Sequence, residues 1–126
     1  MQMRSQLGRV RGLGSAKHGV AHWWAQRVTA IALIPLSLWF VASVVSLGGA
    51  DYSTYRLWIN EHGNLVLLIC FLIALFHHAQ LGMQVVIEDY VHGEAAKITL
   101  LLATKFIAVV GALSCIVAAL KVALTG

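Results

Sequence analysis

Hydrophobic residues fall into three long runs that are separated by short polar stretches. The runs cover about residues 28–47, 65–87 and 98–124. A bilayer hydrocarbon core is about 30 Å thick and needs roughly 20 apolar residues of helix to cross it, so each run is long enough. Backbone groups in lipid must hydrogen-bond within their own segment, which favours helices. The pattern predicts an all-α membrane protein with three transmembrane helices, forming a single domain over residues 1–126.

Composition and charge support this class. The chain is 60% hydrophobic and 11% charged, which leaves too little polar surface for a soluble domain of this size. Its formal net charge is +4, but the basic residues cluster before the first run, so the charge argues against nucleic-acid binding. Basic flanks tend to stay cytoplasmic, which predicts a cytoplasmic arm over residues 1–27. The basic residues of this arm are Arg4, Arg9, Arg11, Lys17 and Arg27.

This orientation determines the rest of the topology. Three spans place residues 48–64 outside, residues 88–97 inside and the C-terminus outside. We expect the arm to be uncleaved and the protein to lie in a bacterial inner membrane. The alternative is a mitochondrial inner membrane, in which case the arginine-bearing start would be the remnant of a transit peptide. Three helices enclose little interior, so we expect a partner protein in the bilayer. Small residues around Gly111 provide a surface on the third helix for close packing.

Two histidines, His77 and His78, lie within the second apolar run. Ionisable side chains at membrane depth are costly and are functional candidates by default. A neutral imidazole is a good axial ligand for haem iron, and Gly82 lies one turn beyond His78 on the same helix face. The alternative is a structural histidine that is hydrogen-bonded between helices. His77 points about 100° away and is a competing ligand.

Other candidates lie near the predicted cytoplasmic face. Tyr90 could donate a hydrogen bond to a quinone carbonyl, with Asp89 orienting it; the alternative is an ordinary interfacial tyrosine. Arg27 could form a bidentate pair with a propionate. The alternative is that Arg27 serves only to orient the first helix in the membrane. His22 and His18 have the i, i+4 spacing of zinc ligands, but no third ligand is evident.

Several segments resemble a known family. Residues 78–90 read HAQLGMQVVIEDY, which resembles the second-helix signature of the small hydrophobic membrane-anchor subunit of succinate dehydrogenase (respiratory complex II). The following VHG at residues 91–93 is similar to mitochondrial members. RVTAI at residues 27–31 resembles the start of the family's first helix, and YRLWI at residues 55–59 resembles its outer loop.

The resemblance implies a haem b held between this chain and a partner anchor protein, with one axial histidine from each. It implies that His78 is the haem iron ligand and that Tyr90 binds quinone with Asp89 beside it. It also implies that Arg27 lies near the haem propionates. His22 is the nearest match to a further propionate residue, although its spacing from Arg27 is one residue off and His18 competes for the same role.

The resulting hypothesis is a membrane-anchor subunit of succinate:quinone oxidoreductase. Its partners would be a second, cytochrome b-type anchor protein, an iron-sulfur protein and a flavoprotein that carries the dicarboxylate active site, with ubiquinone as the electron acceptor. One alternative is a structural anchor or assembly protein without haem or quinone. Another is a cytochrome b-type component of a different quinone oxidoreductase, such as fumarate reductase.

Overall fold

The computed structural model describes residues 6–125, with side chains from Gly19 onward. Helix α1 spans Gln6–Ser46, α2 spans Tyr52–Asn60, α3 spans His62–Tyr90 and α4 spans Glu94–Leu124. Three segments are long and apolar enough to cross a membrane, namely Gly19–Ser46, His62–Tyr90 and Glu94–Leu124. No strand occurs within residues 6–125. The prediction of an all-α chain with three membrane-spanning helices is confirmed.

Helices α1 and α4 begin before their apolar runs, and α3 extends beyond its run at both ends. Much of the predicted arm is helical, because α1 begins at Gln6, although the side chains before Gly19 lie outside the described residues. Only three residues connect α3 to α4, and the backbone is extended at Val91 and Gly93, so the predicted inner loop is a short connection. Helical hydrogen bonding continues past the hydrocarbon because the polar flanking residues can remain helical in the interfacial region.

The connection between the first two spans folds as the short helix α2. Asp51 caps it, because its carboxylate accepts a 2.9 Å hydrogen bond from the backbone N–H of Thr54. Hydrogen bonds from Thr54, and then from Ser53, hold the pKa of Asp51 below its ordinary value. Before it, Gly49 turns the chain with a φ of +80°, a conformation that glycine adopts without strain. The turn and cap direct α2 back across the ends of α3 and α4.

The largest cluster of buried residues lies beneath α2. Ile59 is fully buried there against Leu68 of α3 and Ala119 and Ala123 of α4. Full burial of one isoleucine contributes about 1.5–3 kcal/mol. The indole of Trp58 also stacks on Trp39 of α1, with ring centroids 5.8 Å apart. These contacts join all four helices at one end of the bundle.

Helix α3 packs against both α1 and α4. On the α1 side, Phe40 stacks on Phe71 with ring centroids 4.6 Å apart. On the α4 side, Phe76 lies over Gly111, where an added Cβ would be 2.8 Å from the ring. The small-residue surface expected on the third helix therefore admits an aromatic ring of α3 at this point.

The outward faces of the long helices are apolar. Few hydrophobic side chains are buried, whereas large ones line the outside of α1 and α4. Contiguous exposed apolar surface of this kind indicates contact with lipid or with partner helices. Examples are Ile31, Leu38, Val45, Phe106, Ile107 and Val110.

Candidate functional site

A polar contact joins α1 to the middle of α3. The hydroxyl oxygen of Thr29 lies 3.0 Å from Nδ1 of His78, and both side chains are partly buried. The same hydroxyl donates to the carbonyl of Ala25 at 2.7 Å, with the carbonyl of Gln26 at 3.1 Å. His78 is thus held between two helices through one ring nitrogen. In the described part of the chain, no hydrogen bond uses its other nitrogen, Nε2.

Two further polar side chains share this face of α1. His22 and Gln26 precede Thr29 by seven and three residues, a spacing that lines up one helix face. His22 Nε2 and Gln26 Oε1 are buried and have no hydrogen-bond partner among the described residues. Because buried polar atoms normally have partners, these two atoms are unusual. An added Cβ on Gly82 would lie 3.9 Å from Gln26 Nε2, which places this glycine of α3 opposite the same polar face.

His77 faces the other side of α3. It lines a cavity of about 380 Å³ between α3 and α4, together with Gln80 and Lys105. The other lining residues are apolar: Ile73, Phe76, Ala108, Val109 and Ala112. Adjacent histidines therefore serve different surfaces of the helix, as their angular separation predicts.

A ladder of polar side chains runs along α3 from this cavity towards the helix end. Gln80 donates to Gln84 at 3.4 Å, and Gln84 donates to Glu88 at 3.1 Å. The spacing of four residues places all three on one stripe of the helix. The ladder satisfies amide groups that would otherwise be unpaired in an apolar environment.

Tyr90 and Asp89 lie at the exposed end of α3. Tyr90 is 77% exposed, and Asp89 is also exposed. Twelve residues of helix separate Tyr90 from His78, about 18 Å along the axis. The chain brings neither Asp89 nor Tyr90 into contact with His78. Because Tyr90 is so exposed, any binding pocket around it would need walls from another protein.

Arg27 is exposed at the start of the first apolar run. Its guanidinium carbon lies 5.3 Å from the centroid of the Trp23 ring, a cation–π arrangement. Arg27 and His22 lie on the same helix as Thr29, but no described contact joins them.

The structure gives no support, among the described residues, for a zinc site at His18 and His22 of the first helix. From Gly19 onward, no group of three or more histidine, cysteine, aspartate or glutamate side chains could hold a metal ion. The side chain of His18 lies outside the described residues. A haem iron needs only one ligand from this chain, provided that a partner supplies the other.

Comparison with known proteins identifies the group to which this chain is related. The family model for the succinate dehydrogenase/fumarate reductase transmembrane subunit matches residues 1–112. The chain belongs to this family. The expected resemblance to the hydrophobic membrane anchor of succinate dehydrogenase is thereby confirmed.

Individual members of the family are similar over most of their length. The succinate dehydrogenase hydrophobic membrane anchor subunit of Rickettsia bellii (strain RML369-C) is 36% identical over 115 residues, covering 91% of this chain and 92% of that protein. The succinate dehydrogenase membrane anchor subunit of Reclinomonas americana is 35% identical over 97 residues, covering 74% and 80%. The succinate dehydrogenase hydrophobic membrane anchor subunit of Paracoccus denitrificans is 28% identical over 95 residues, covering 75% and 74%.

Sequence reasoning singled out His78 but missed its partner. Thr29 was visible only as part of the first-helix motif, and nothing in its spacing to His78, 49 residues away, indicates contact. The ladder from Gln80 to Glu88 could have been found, because glutamines four residues apart in an apolar run are conspicuous. Gln26 and its unpartnered oxygen required the helix packing to be known.

Proposed function

We propose that this chain is the hydrophobic membrane-anchor subunit of a bacterial succinate:quinone oxidoreductase. In this role it holds the flavoprotein and the iron-sulfur protein at the inner membrane and contributes to the site where electrons reach quinone. Succinate is oxidised on the flavoprotein partner, so this chain is part of the enzyme without carrying its dicarboxylate site. Support comes from the succinate dehydrogenase anchor subunits that resemble it over nine-tenths of its length.

The residues present fit a haem b shared with a partner anchor protein. The observation that carries this proposal is the His78 side chain, which is fixed through Nδ1 at the middle of a transmembrane helix while Nε2 has no partner among the described residues. Imidazole nitrogen is a suitable axial ligand, and the cytochrome b-type partner would supply the second. When bound, haem takes up and releases single electrons.

The propionates of the haem are the expected partners of the α1 residues. Buried His22 Nε2 has no partner among the described residues, and an imidazole N–H can donate to a carboxylate. Arg27, which is exposed, can form the bidentate pair that arginine makes with carboxylates. These two residues would orient the haem and compensate its negative charge.

The quinone site is proposed at the exposed end of α3. The phenolic O–H of Tyr90 can donate to a quinone carbonyl oxygen, and the Asp89 carboxylate beside it can accept a proton or orient the hydroxyl. Such a position at the membrane surface gives the quinone head group access to protons from water. Partner proteins must complete the pocket, because Tyr90 is 77% exposed in this chain alone.

Purification through an affinity tag on this chain tests the proposal. We expect the flavoprotein and the iron-sulfur protein to co-purify, together with succinate-dependent reduction of a short-chain ubiquinone. The dithionite-reduced minus oxidised optical spectrum should contain low-spin b-type haem. If the complex reduces quinone but has no haem spectrum, this chain is an anchor and the proposed haem role is wrong. A complex with haem that prefers fumarate reduction would identify the fumarate reductase alternative.

A further inference from the structure

The hydroxyl of Thr29 has a single proton, and its surroundings determine where that proton goes. Two carbonyl oxygens, of Ala25 and Gln26, lie 2.7 and 3.1 Å from the hydroxyl oxygen. Threonine in a helix commonly donates to the carbonyl four residues earlier. If the proton pointed instead at His78, the hydroxyl oxygen would face the Ala25 carbonyl with no hydrogen between them. The hydroxyl therefore donates within α1.

The contact with His78 then has only one direction. Since the Thr29 proton is already used, the oxygen can only accept at its 3.0 Å contact with Nδ1. Nδ1 must carry the hydrogen, and in a neutral imidazole the lone pair is then on Nε2.

We propose that Thr29 is a positioning residue that selects the Nδ1–H tautomer of His78 and fixes its ring, so that Nε2 is ready to bind the haem iron. The inference rests on the proposed haem role of His78 and deepens it. Histidine ligands of metals usually donate their second ring N–H to a nearby acceptor, which sets the tautomer, orients the ring and raises ligand basicity. Here the acceptor comes from a different helix, so the packing of α1 on α3 prepares the ligand.

The rigidity of Thr29 supports this role. Its χ1 angle is restricted because the side chain is branched at Cβ, and donation to the preceding turn restricts it further. A serine would keep the hydroxyl but lose the methyl group. A valine would keep the shape but lose both hydrogen bonds.

The test uses the whole complex with three single substitutions in this chain. Thr29→Val removes the hydroxyl, and Thr29→Ser retains it. Thr104→Val is the matched control, because Thr104 makes the same bond to a carbonyl four residues earlier, at 2.8 Å from Leu100, but contacts no histidine among the described residues. The measurements are the low-temperature electron paramagnetic resonance spectrum of the oxidised haem, its midpoint potential and the rate of haem transfer to apomyoglobin.

We expect only Thr29→Val to change the haem. Its transfer to apomyoglobin should become about tenfold faster, the lower end of what such supporting hydrogen bonds contribute. The low-spin signal should shift, and the potential should rise because a less basic ligand stabilises ferric iron less. Thr29→Ser and Thr104→Val should resemble the unmodified complex. An unchanged signal, potential and transfer rate in Thr29→Val would overturn the inference.

Two further outcomes are also decisive. If the Thr29→Val complex does not assemble, Thr29→Ala is compared with Thr29→Ser instead. Equal haem retention in these two variants would overturn the inference. Loss of haem only in Thr29→Ala would support it. If His78→Leu keeps the low-spin spectrum, the haem role of His78 itself is wrong and the inference fails with it. If the Thr29 substitutions leave the haem unchanged but His78→Leu removes the low-spin spectrum, the inference about Thr29 is wrong and the proposed function still stands.

Discussion

His77 and His78 are adjacent in sequence but face different helices. His78 contacts Thr29 of α1 at 3.0 Å, whereas His77 lines the cavity between α3 and α4 beside Lys105. A helix turns by about 100° per residue, so neighbouring side chains cannot share one metal from the same side. This geometry makes the pair a matched test of haem ligation.

We expect His78→Leu to abolish or strongly reduce the low-spin b-type spectrum, because the iron loses one axial ligand. His77→Leu should preserve it, because that side chain lies on the α4 side of the helix. Optical difference spectra of both purified complexes, normalised to flavin content, provide the measurement. The reverse result, with haem lost only in His77→Leu, would show that the ligand was assigned to the wrong histidine.

Tyr90→Phe should selectively impair quinone reduction. Loss of one hydrogen-bond donor that leaves a carbonyl unpaired costs about 1–3 kcal/mol, which corresponds to roughly 5- to 150-fold in rate at 1.4 kcal/mol per tenfold. Succinate oxidation with a soluble acceptor that takes electrons upstream of quinone should be almost unchanged. The two assays on one preparation separate a quinone-site defect from a loss of assembly.

Tyr52→Phe is the control for this substitution. Tyr52 is also an exposed tyrosine, but it begins α2 at the opposite end of α3 from Tyr90. It should retain normal activity in both assays. Equal losses in Tyr90→Phe and Tyr52→Phe, or no loss in Tyr90→Phe, would remove Tyr90 from the quinone site.

Gly111→Ala should loosen the contact between α3 and α4. The added Cβ would be 2.8 Å from the Phe76 ring, and overpacking of this kind costs about 1–3 kcal/mol. The gain in helix propensity offsets about 1 kcal/mol of that cost. We expect a lower thermal unfolding midpoint for the detergent-solubilised complex.

A second substitution identifies the cause of that effect. Phe76→Leu in the Gly111→Ala background should recover part of the midpoint, because the smaller side chain relieves the overlap. Gly63→Ala is a matched control, since an added Cβ at Gly63 meets nothing within 4 Å. Equal midpoints for the Gly111→Ala and Gly63→Ala complexes would contradict the packing explanation.

The cap of α2 should weaken in acid. The pKa of Asp51 is lowered in the folded chain by hydrogen bonds from Thr54 and then Ser53. A lowered folded pKa means that the stabilisation is present above the ordinary value of 3.8 and is lost as the pH falls through the folded pKa. The protection of the first turn of α2 against hydrogen exchange, corrected for the intrinsic pH dependence of amide exchange, should therefore fall over that range.

Asp51→Asn separates charge from capping. Asparagine is a good N-cap residue without a titratable group, so the turn should stay protected while the acid dependence disappears. Asp51→Ala should lose protection at all pH values. The same acid-induced change in Asp51→Asn as in the unmodified chain would assign the titration to another group.

The topology prediction concerns which ends face the cytoplasm. Basic residues precede the first span, so the N-terminus and the α3–α4 turn should be cytoplasmic and the C-terminus should be outside. Accessibility of single cysteines to a membrane-impermeant maleimide, in intact and permeabilised cells, measures this. Labelling of a C-terminal cysteine only after permeabilisation would be incompatible with three spans and a cytoplasmic N-terminus.

The fold class follows from the amino-acid sequence, because three apolar runs of bilayer length admit few structures other than three helices in lipid. The same is true of the angular separation of His77 and His78, since residues in one helix have a fixed geometry. The motif from His78 to Tyr90 indicated the family for the same reason, as all its residues lie on one helix. Local order along the chain was sufficient for each of these conclusions.

The contacts of each helix face depend on how the helices pack in three dimensions. The pairing of Thr29 with His78, and the packing of Phe76 over Gly111, join residues from different helices. Hydrophobic patterning does not specify such pairs, because almost every face of these helices is apolar and many rotations would bury equivalent surface. The particular fit of side chains sets the rotation of α1 on α3, and that rotation is why Nδ1 of His78 meets a hydroxyl while Nε2 remains available.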